Sequence, residues 1–196
     1  MVSFLHKKGK GQQEAQTMDE LEAVSKIRVF LKDEGFIVPK KPVQEFYSSI
    51  IKLSGFGVGG ILNMSGRKAG NIAGQIIKEL IGNHEPSIEE IELYLRVFLS
   101  EAGICEITRW ENQEKQVKIY AKNSVFAEEQ ESSKPVCIPL QGALAGCFEE
   151  LTGKEWDCKE TQCQAQKKEE CIFELWFYHR SSFSYEQTQD RSCGGG

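Results

Sequence analysis

Residues 137–173, CIPLQGALAGCFEELTGKEWDCKETQCQAQKKEECIF, carry the pattern from which the fold is read. Leu140, Leu144, Cys147, Phe148 and Leu151 recur at helical spacing, and the segment from Cys171 to Tyr178 is a strongly apolar strand. Cys147, Cys158, Cys163 and Cys171 crowd this window, with Cys137 just ahead of the helix. In a reducing compartment such crowding points to metal before disulfide. Zinc takes four soft or borderline ligands in a tetrahedron, usually from two short clusters joined by folding. Cys163 and Cys171 flank a polar stretch of seven residues that must turn back toward the metal, and either Glu160 or Cys158 completes the set. That spacing is longer than the roughly two to four residues of zinc knuckles. By spacing alone, buried free thiols remain an equal alternative.

The whole chain has 196 residues, with 24 basic and 29 acidic side chains and a formal net charge of −5. This is the length of one domain, and 40% hydrophobic with 27% charged residues is a globular balance. No basic stripe is available to release counterions from a nucleic acid backbone. No apolar run approaches the roughly 20 residues of a membrane span. Lys7, Lys8 and Lys10 follow only a few apolar residues, so the apolar core of a secretory signal is missing. The chain reads as soluble and cytoplasmic.

Upstream of the quoted stretch, residues 1–18 read as a disordered leader, 19–180 as a single domain and 181–196 as a flexible tail. Apolar residues from Leu21 to Leu31 predict a first helix, stopped by Gly35 and Pro39. A second starts near Pro42 and uses Val43, Phe46, Tyr47, Ile50, Ile51 and Leu53. From Ser65 to Ile81, Gly66, Ala69, Gly70, Ala73 and Gly74 predict a helix that approaches another helix or a second copy of the chain closely. Pro86, Ser87, Glu89 and Glu90 open a fourth helix, ended by Gly103. Ile104–Trp110 and Gln116–Tyr120 alternate across a polar turn, the mark of a β-hairpin. The order α-α-α-α-β-β-α-β defines an α+β domain, an antiparallel sheet with helices packed on one face.

Residues 137–173 resemble the zinc-bearing end of the 4-vinyl-reductase (4VR) domain family. Such domains occur alone in hydrocarbon-binding proteins and at the front of phenol-sensing transcription activators, and their fold is similar to subunits of the Golgi transport particle. The resemblance implies zinc on Cys137, Glu160, Cys163 and Cys171, and Gly142, Gly146 and Gly153 fit its glycine pattern. Lys167 stands where the family usually has a glycine between the last two cysteines. No Trp and His of this chain can be placed at the phenol sensors' phenol-binding positions. The resemblance therefore implies a small-molecule-binding domain for an apolar, aromatic or hydrocarbon-like ligand, with structural zinc, acting as sensor or carrier. It also leaves two alternatives: an enzyme or accessory protein in tetrapyrrole vinyl-group metabolism, and a non-enzymatic assembly subunit of transport-particle type.

The expected ligand pocket lies between sheet and helices, walled by Phe98, Trp110, Tyr120, Phe126, Phe148 and Trp176, with one or two polar contacts for specificity. A homodimer through the Ser65–Ile81 helix is expected, with a protein partner for output. Gly55-x-Gly57-x-x-Gly60 spells a dinucleotide fingerprint but lacks a preceding strand, so it reads as an inter-helix loop. His6, His84 and His179 are scattered with no catalytic context, and Cys193 before three glycines lacks the aliphatic pair of a prenylation box.

Overall fold

Ser87 shows how local sequence sets the helix boundaries: its hydroxyl accepts from the Glu90 amide, and the Glu90 carboxylate accepts from the Ser87 amide. This reciprocal cap starts helix α4, Ile88–Glu101. The computed structural model describes residues 10–53, 57–82, 84–113 and 115–178. Before α4 come α1 (Lys10–Glu34), α2 (Lys40–Leu53) and α3 (Val58–Ile81). After it come β1 (Glu106–Gln113), β2 (Gln116–Lys122), α5 (Ile138–Thr152), β3 (Trp156–Gln162) and β4 (Cys171–Phe177). A single 3-10 turn, Gln164–Gln166, follows β3.

Helix α1 begins at Lys10, within the stretch 1–18 expected to be a disordered leader, so that expectation is corrected from Lys10 onward. The Gln, Glu and Ala residues of 12–16 are good helix formers that simply continue the helix toward the N-terminus. Residues 1–9 and the expected tail 181–196, with His6, His179 and Cys193, lie outside the described residues. Ala23 and Ile27 of α1 are fully buried, and Arg28 forks onto the Glu101 carboxylate of α4 at 2.7 and 3.1 Å.

The sheet is antiparallel throughout, in the order β1-β2-β4-β3. The sequence pattern predicts three strands; the fourth, β3, occupies the connector read there only for its metal ligands. Its pattern is nonetheless period two, with Trp156, Cys158 and Glu160 buried and the residues between them more exposed. Val117, Ile119 and Ala121 of β2 lie opposite Leu175, Phe173 and Cys171 of β4, making one inward face. Lys118, Tyr120, Glu174 and Trp176 take the other parity and line the face away from the helices.

Helices α3 and α5 pack almost backbone to backbone. A Cβ added at Gly66 would lie 2.1 Å from the Pro139 carbonyl oxygen, and one at Gly70 would lie 2.0 Å from that of Ala143. From the other side, a Cβ on Gly146 would lie 2.1 Å from the Arg67 carbonyl oxygen. The glycine face of α3, expected to meet a second copy or a neighbouring helix, is thus occupied within the chain by α5. Arg67 pins the pair to the sheet by donating to Glu149, to the Trp156 carbonyl at 2.9 Å and to Asp157 at 3.3 Å. The glycine fingerprint lies between α2 and α3, with no strand before it, and Gly57 at φ +129° precedes the first residue of α3.

Candidate functional site

Four elements deliver one buried cluster. Cys137 is the N-cap of α5, Glu160 projects inward from β3, Cys163 precedes the 3-10 turn and Cys171 opens β4. Their potential ligand atoms all lie within 4.8 Å of one another. The three sulfurs form a triangle with sides of 3.9, 3.8 and 3.9 Å. Thiolates about 2.3 Å from a tetrahedral zinc would sit about 3.8 Å apart. The Glu160 carboxylate accepts from the Cys137 amide at 2.8 Å through Oε2, while its Oε1 is buried without a hydrogen-bond partner. An orphaned, buried carboxylate oxygen beside three thiols is the donor set a borderline cation satisfies.

The electrostatics of the cluster point the same way. Hydrogen bonds from Cys137 and Cys171 hold the Cys163 thiol far below its ordinary value, and the same interactions push Cys137 well above it. Burial pushes Glu160 up to about 8. Without a cation, three acidic groups share protons at a cost; a metal would replace those protons and cross-link α5, β3 and β4. The Gln164 amide donates to Cys171 Sγ at 3.3 Å, and Ser124 Oγ lies 3.3 Å from Cys137 Sγ, so the sulfurs also have outer partners. Four protein ligands would leave no open position for a reacting water.

Of the two expected fourth ligands, Glu160 is in the cluster. Cys158 is not: it faces the same interior two residues earlier on β3, opposite Leu175, and burial above all pushes its thiol well up. At Lys167 the chain takes φ +61°, the left-handed conformation that the family's glycine would adopt there. Two bonds support this turn: the Gln166 amide donates to the Cys163 carbonyl at 3.0 Å and the Lys167 amide to that of Gln164 at 2.9 Å.

One turn beyond Cys137, Pro139 and Leu140 reach a cavity of about 340 Å³ between α3, α4 and α5. Ala69, Ala73 and Ile76 wall it from α3, Leu95 and Phe98 from α4, Leu144 from α5. Exposed Ala69 and Ile72 mark its solvent side. Phe126 joins cavity to cluster. Its ring lies in the wall and meets the Tyr47 ring edge-on at 5.0 Å, and Tyr47 donates its hydroxyl to the Val136 carbonyl next to Cys137. Burial pushes the Tyr47 hydroxyl up, which keeps it a donor.

The expected pocket residues are divided by this arrangement. Phe98 and Phe126 line the cavity. Trp110 and Phe148 stack in the core with centroids 5.7 Å apart, and Phe148 also packs on Trp156. Tyr120 and Trp176 are on the wrong side of the sheet to line any pocket beneath the helices, a correction forced by strand parity; Tyr120 instead carries the Arg109 guanidinium 3.6 Å above its ring. Sequence reasoning missed Ala69, Ala73 and Ile76. Their signal was a second small-residue row on the Ser65–Ile81 helix, offset from Gly66, Gly70 and Gly74 by about one position. It also missed Tyr47. His84 pairs with Glu90 at 3.0 Å on the surface, away from both sites.

These features define a class: an α+β domain in which an apolar cavity adjoins a buried cysteine and glutamate cluster. Residues 117–176 match the family model of the 4-vinyl-reductase (4VR) domain, a span containing all four cluster residues, as the resemblance of residues 137–173 implied. The chain has the fold of the phenol-responsive sensory domain of the transcription activator PoxR with phenol, at 13% identity and a TM-score of 0.66, covering 80% of this chain and 89% of that one. A vinyl-4-reductase family protein from Methanocaldococcus jannaschii matches at 21% identity and 0.54, over 91% and 100% of the two chains. Subunit 3 of the trafficking protein particle complex from Naegleria fowleri, covalently bound to palmitic acid, matches at 13% and 0.56, over 71% and 95%. No curated protein matches the chain. At these identities the likeness is one of fold. Among the described residues, no helix is long and apolar enough to cross a membrane.

Proposed function

We propose that this chain is a small-molecule-binding domain, a sensor or carrier, that takes an apolar or aromatic ligand in the cavity between α3, α4 and α5. The observation that carries this reading is the cavity itself: about 340 Å³ with wholly apolar walls, within the usual range for ligand sites. Removing apolar surface from water contributes roughly 25 cal/mol per Å², enough for micromolar binding of a compact apolar molecule. The phenol and palmitic acid named with two fold neighbours support a small organic ligand for this fold.

Zinc on Cys137, Glu160, Cys163 and Cys171 has a structural role in this proposal. It braces the loop that carries Phe126, so a ligand pressing on Phe126 acts through Tyr47 and Val136 on the segment next to Cys137. A sensor's output then passes to a protein partner or a second copy of the chain. The test is a thermal-shift and equilibrium-binding series with naphthalene and decane on wild type and Ala73→Phe. Wild type gains melting temperature with at least one compound, and the filled-cavity variant, still folded by circular dichroism, does not. No shift for either protein rejects the reading.

A further inference from the structure

The cavity wall contains no side-chain hydrogen-bonding group. Its fifteen lining residues are all Gly, Ala, Ile, Leu, Phe or Pro. The helical backbone around it is committed to its own ladders; of the loop residues, Ile104 accepts at its carbonyl from the Val125 amide at 2.9 Å, and the Phe126 amide points to Ser124 Oγ at 3.4 Å. The polar groups that do stand nearby are turned elsewhere: Tyr47 donates to Val136, and Arg67 reaches Glu149, Trp156 and Asp157. The expectation of one or two polar contacts for specificity therefore finds nothing to supply them inside this cavity.

Nor does the wall hold a nucleophile. Cys147 and Cys105 are buried in the core outside the lining, and burial pushes both thiols up to about 12, which keeps them protonated and unreactive at neutral pH.

Resting on the ligand-binding reading above, we infer that this cavity selects neutral molecules with no hydroxyl, amine or carboxylate inside it, held without a covalent bond and discriminated by shape alone. A phenolic hydroxyl entering it gives up its water partners and gains none. An unmet buried hydroxyl weakens binding by about tenfold or more. Selection thus runs by exclusion: a plain aromatic or aliphatic skeleton is accepted because every wall atom is apolar, and its hydroxylated counterpart is rejected by the same wall.

The experiment compares 2-methylnaphthalene with 2-naphthol, which match in size and differ in the hydroxyl, by equilibrium binding to the full chain. Ala73→Ser, which puts a hydroxyl on the half-buried wall of α3, is measured beside wild type. The expected result is binding of 2-methylnaphthalene at least about tenfold tighter than 2-naphthol, a ratio that shrinks in Ala73→Ser, with intact mass showing no adduct. A ratio below tenfold in wild type, or a covalent adduct, overturns the selectivity and leaves the ligand-binding reading standing. Binding of neither compound removes that reading, and this inference with it.

Discussion

Glu160 accepts from the backbone amide of Cys137 at 2.8 Å through one carboxylate oxygen and offers the other, buried and unpartnered, to the space among three cysteine sulfurs. One residue of β3 thus both fixes the start of α5 and completes a four-donor set. Glu160→Gln keeps an acceptor for the Cys137 amide but removes the charge. Metal analysis of protein expressed with zinc is expected to give one equivalent per chain for wild type and for Cys158→Ala, and a marked loss for Glu160→Gln and Cys163→Ser. Chelation of wild type is expected to lower its melting temperature, because structural zinc contributes several kcal/mol to folding.

The contact between α3 and α5 sets a second prediction. Gly146→Ala places a methyl 2.1 Å from the Arg67 carbonyl oxygen, backbone that cannot step aside. A loss of about 3 kcal/mol or more in denaturant unfolding is expected. Gly60→Ala, in the same helix pair but with open space around it, is expected to gain about 0.5–1 kcal/mol. Equal effects of the two substitutions would contradict the packing.

Alkaline stability follows from the buried thiols. Burial pushes Cys105 and Cys147 up to about 12, against an unfolded thiol near 8.5. Between these values the folded chain binds more protons than the unfolded one, so stability falls as pH rises. The contribution is whole below pH ~8.5 and is lost progressively toward ~12. By pH 10 the loss is on the order of 2 kcal/mol per thiol. Urea unfolding at pH 7 and 10 should show Cys147→Ala losing less than wild type by about that amount.

Lys167 carries backbone strain in the turn between Cys163 and Cys171, with φ +61° and a side chain that is mostly exposed. Its ion pair with exposed Glu131 contributes little. Lys167→Gly is expected to raise stability by about 0.5–1 kcal/mol, read as a higher urea midpoint with unchanged metal content.

Much of this was legible because it is local. Helix α5, strand β4 and the cap at Ser87 follow from period, composition and short-range hydrogen-bonding chemistry, and the cluster residues were visible as residue types in register. Strand β3 escaped because its inward row, Trp156, Cys158 and Glu160, ends in a carboxylate, and a buried glutamate reads as polar until its partners are known. Trp176 could have been placed: if Cys171 faces inward to the cluster, a residue five positions along the same strand must face outward.

The sequence by itself determined the α+β order and the four-residue donor set, because periodicity and ligand chemistry are properties of the chain. It also determined that α3 must approach something closely, since glycine at Gly66, Gly70 and Gly74 has no local benefit in a helix. Only the tertiary structure decided that this something is α5, that Glu160 rather than Cys158 joins the sulfurs, and that the cavity lies among three helices rather than beneath the sheet. A void has no sequence signature: it exists where helices far apart in the chain stop short of one another, and their separation is set by the glycine contacts that hold two of them together.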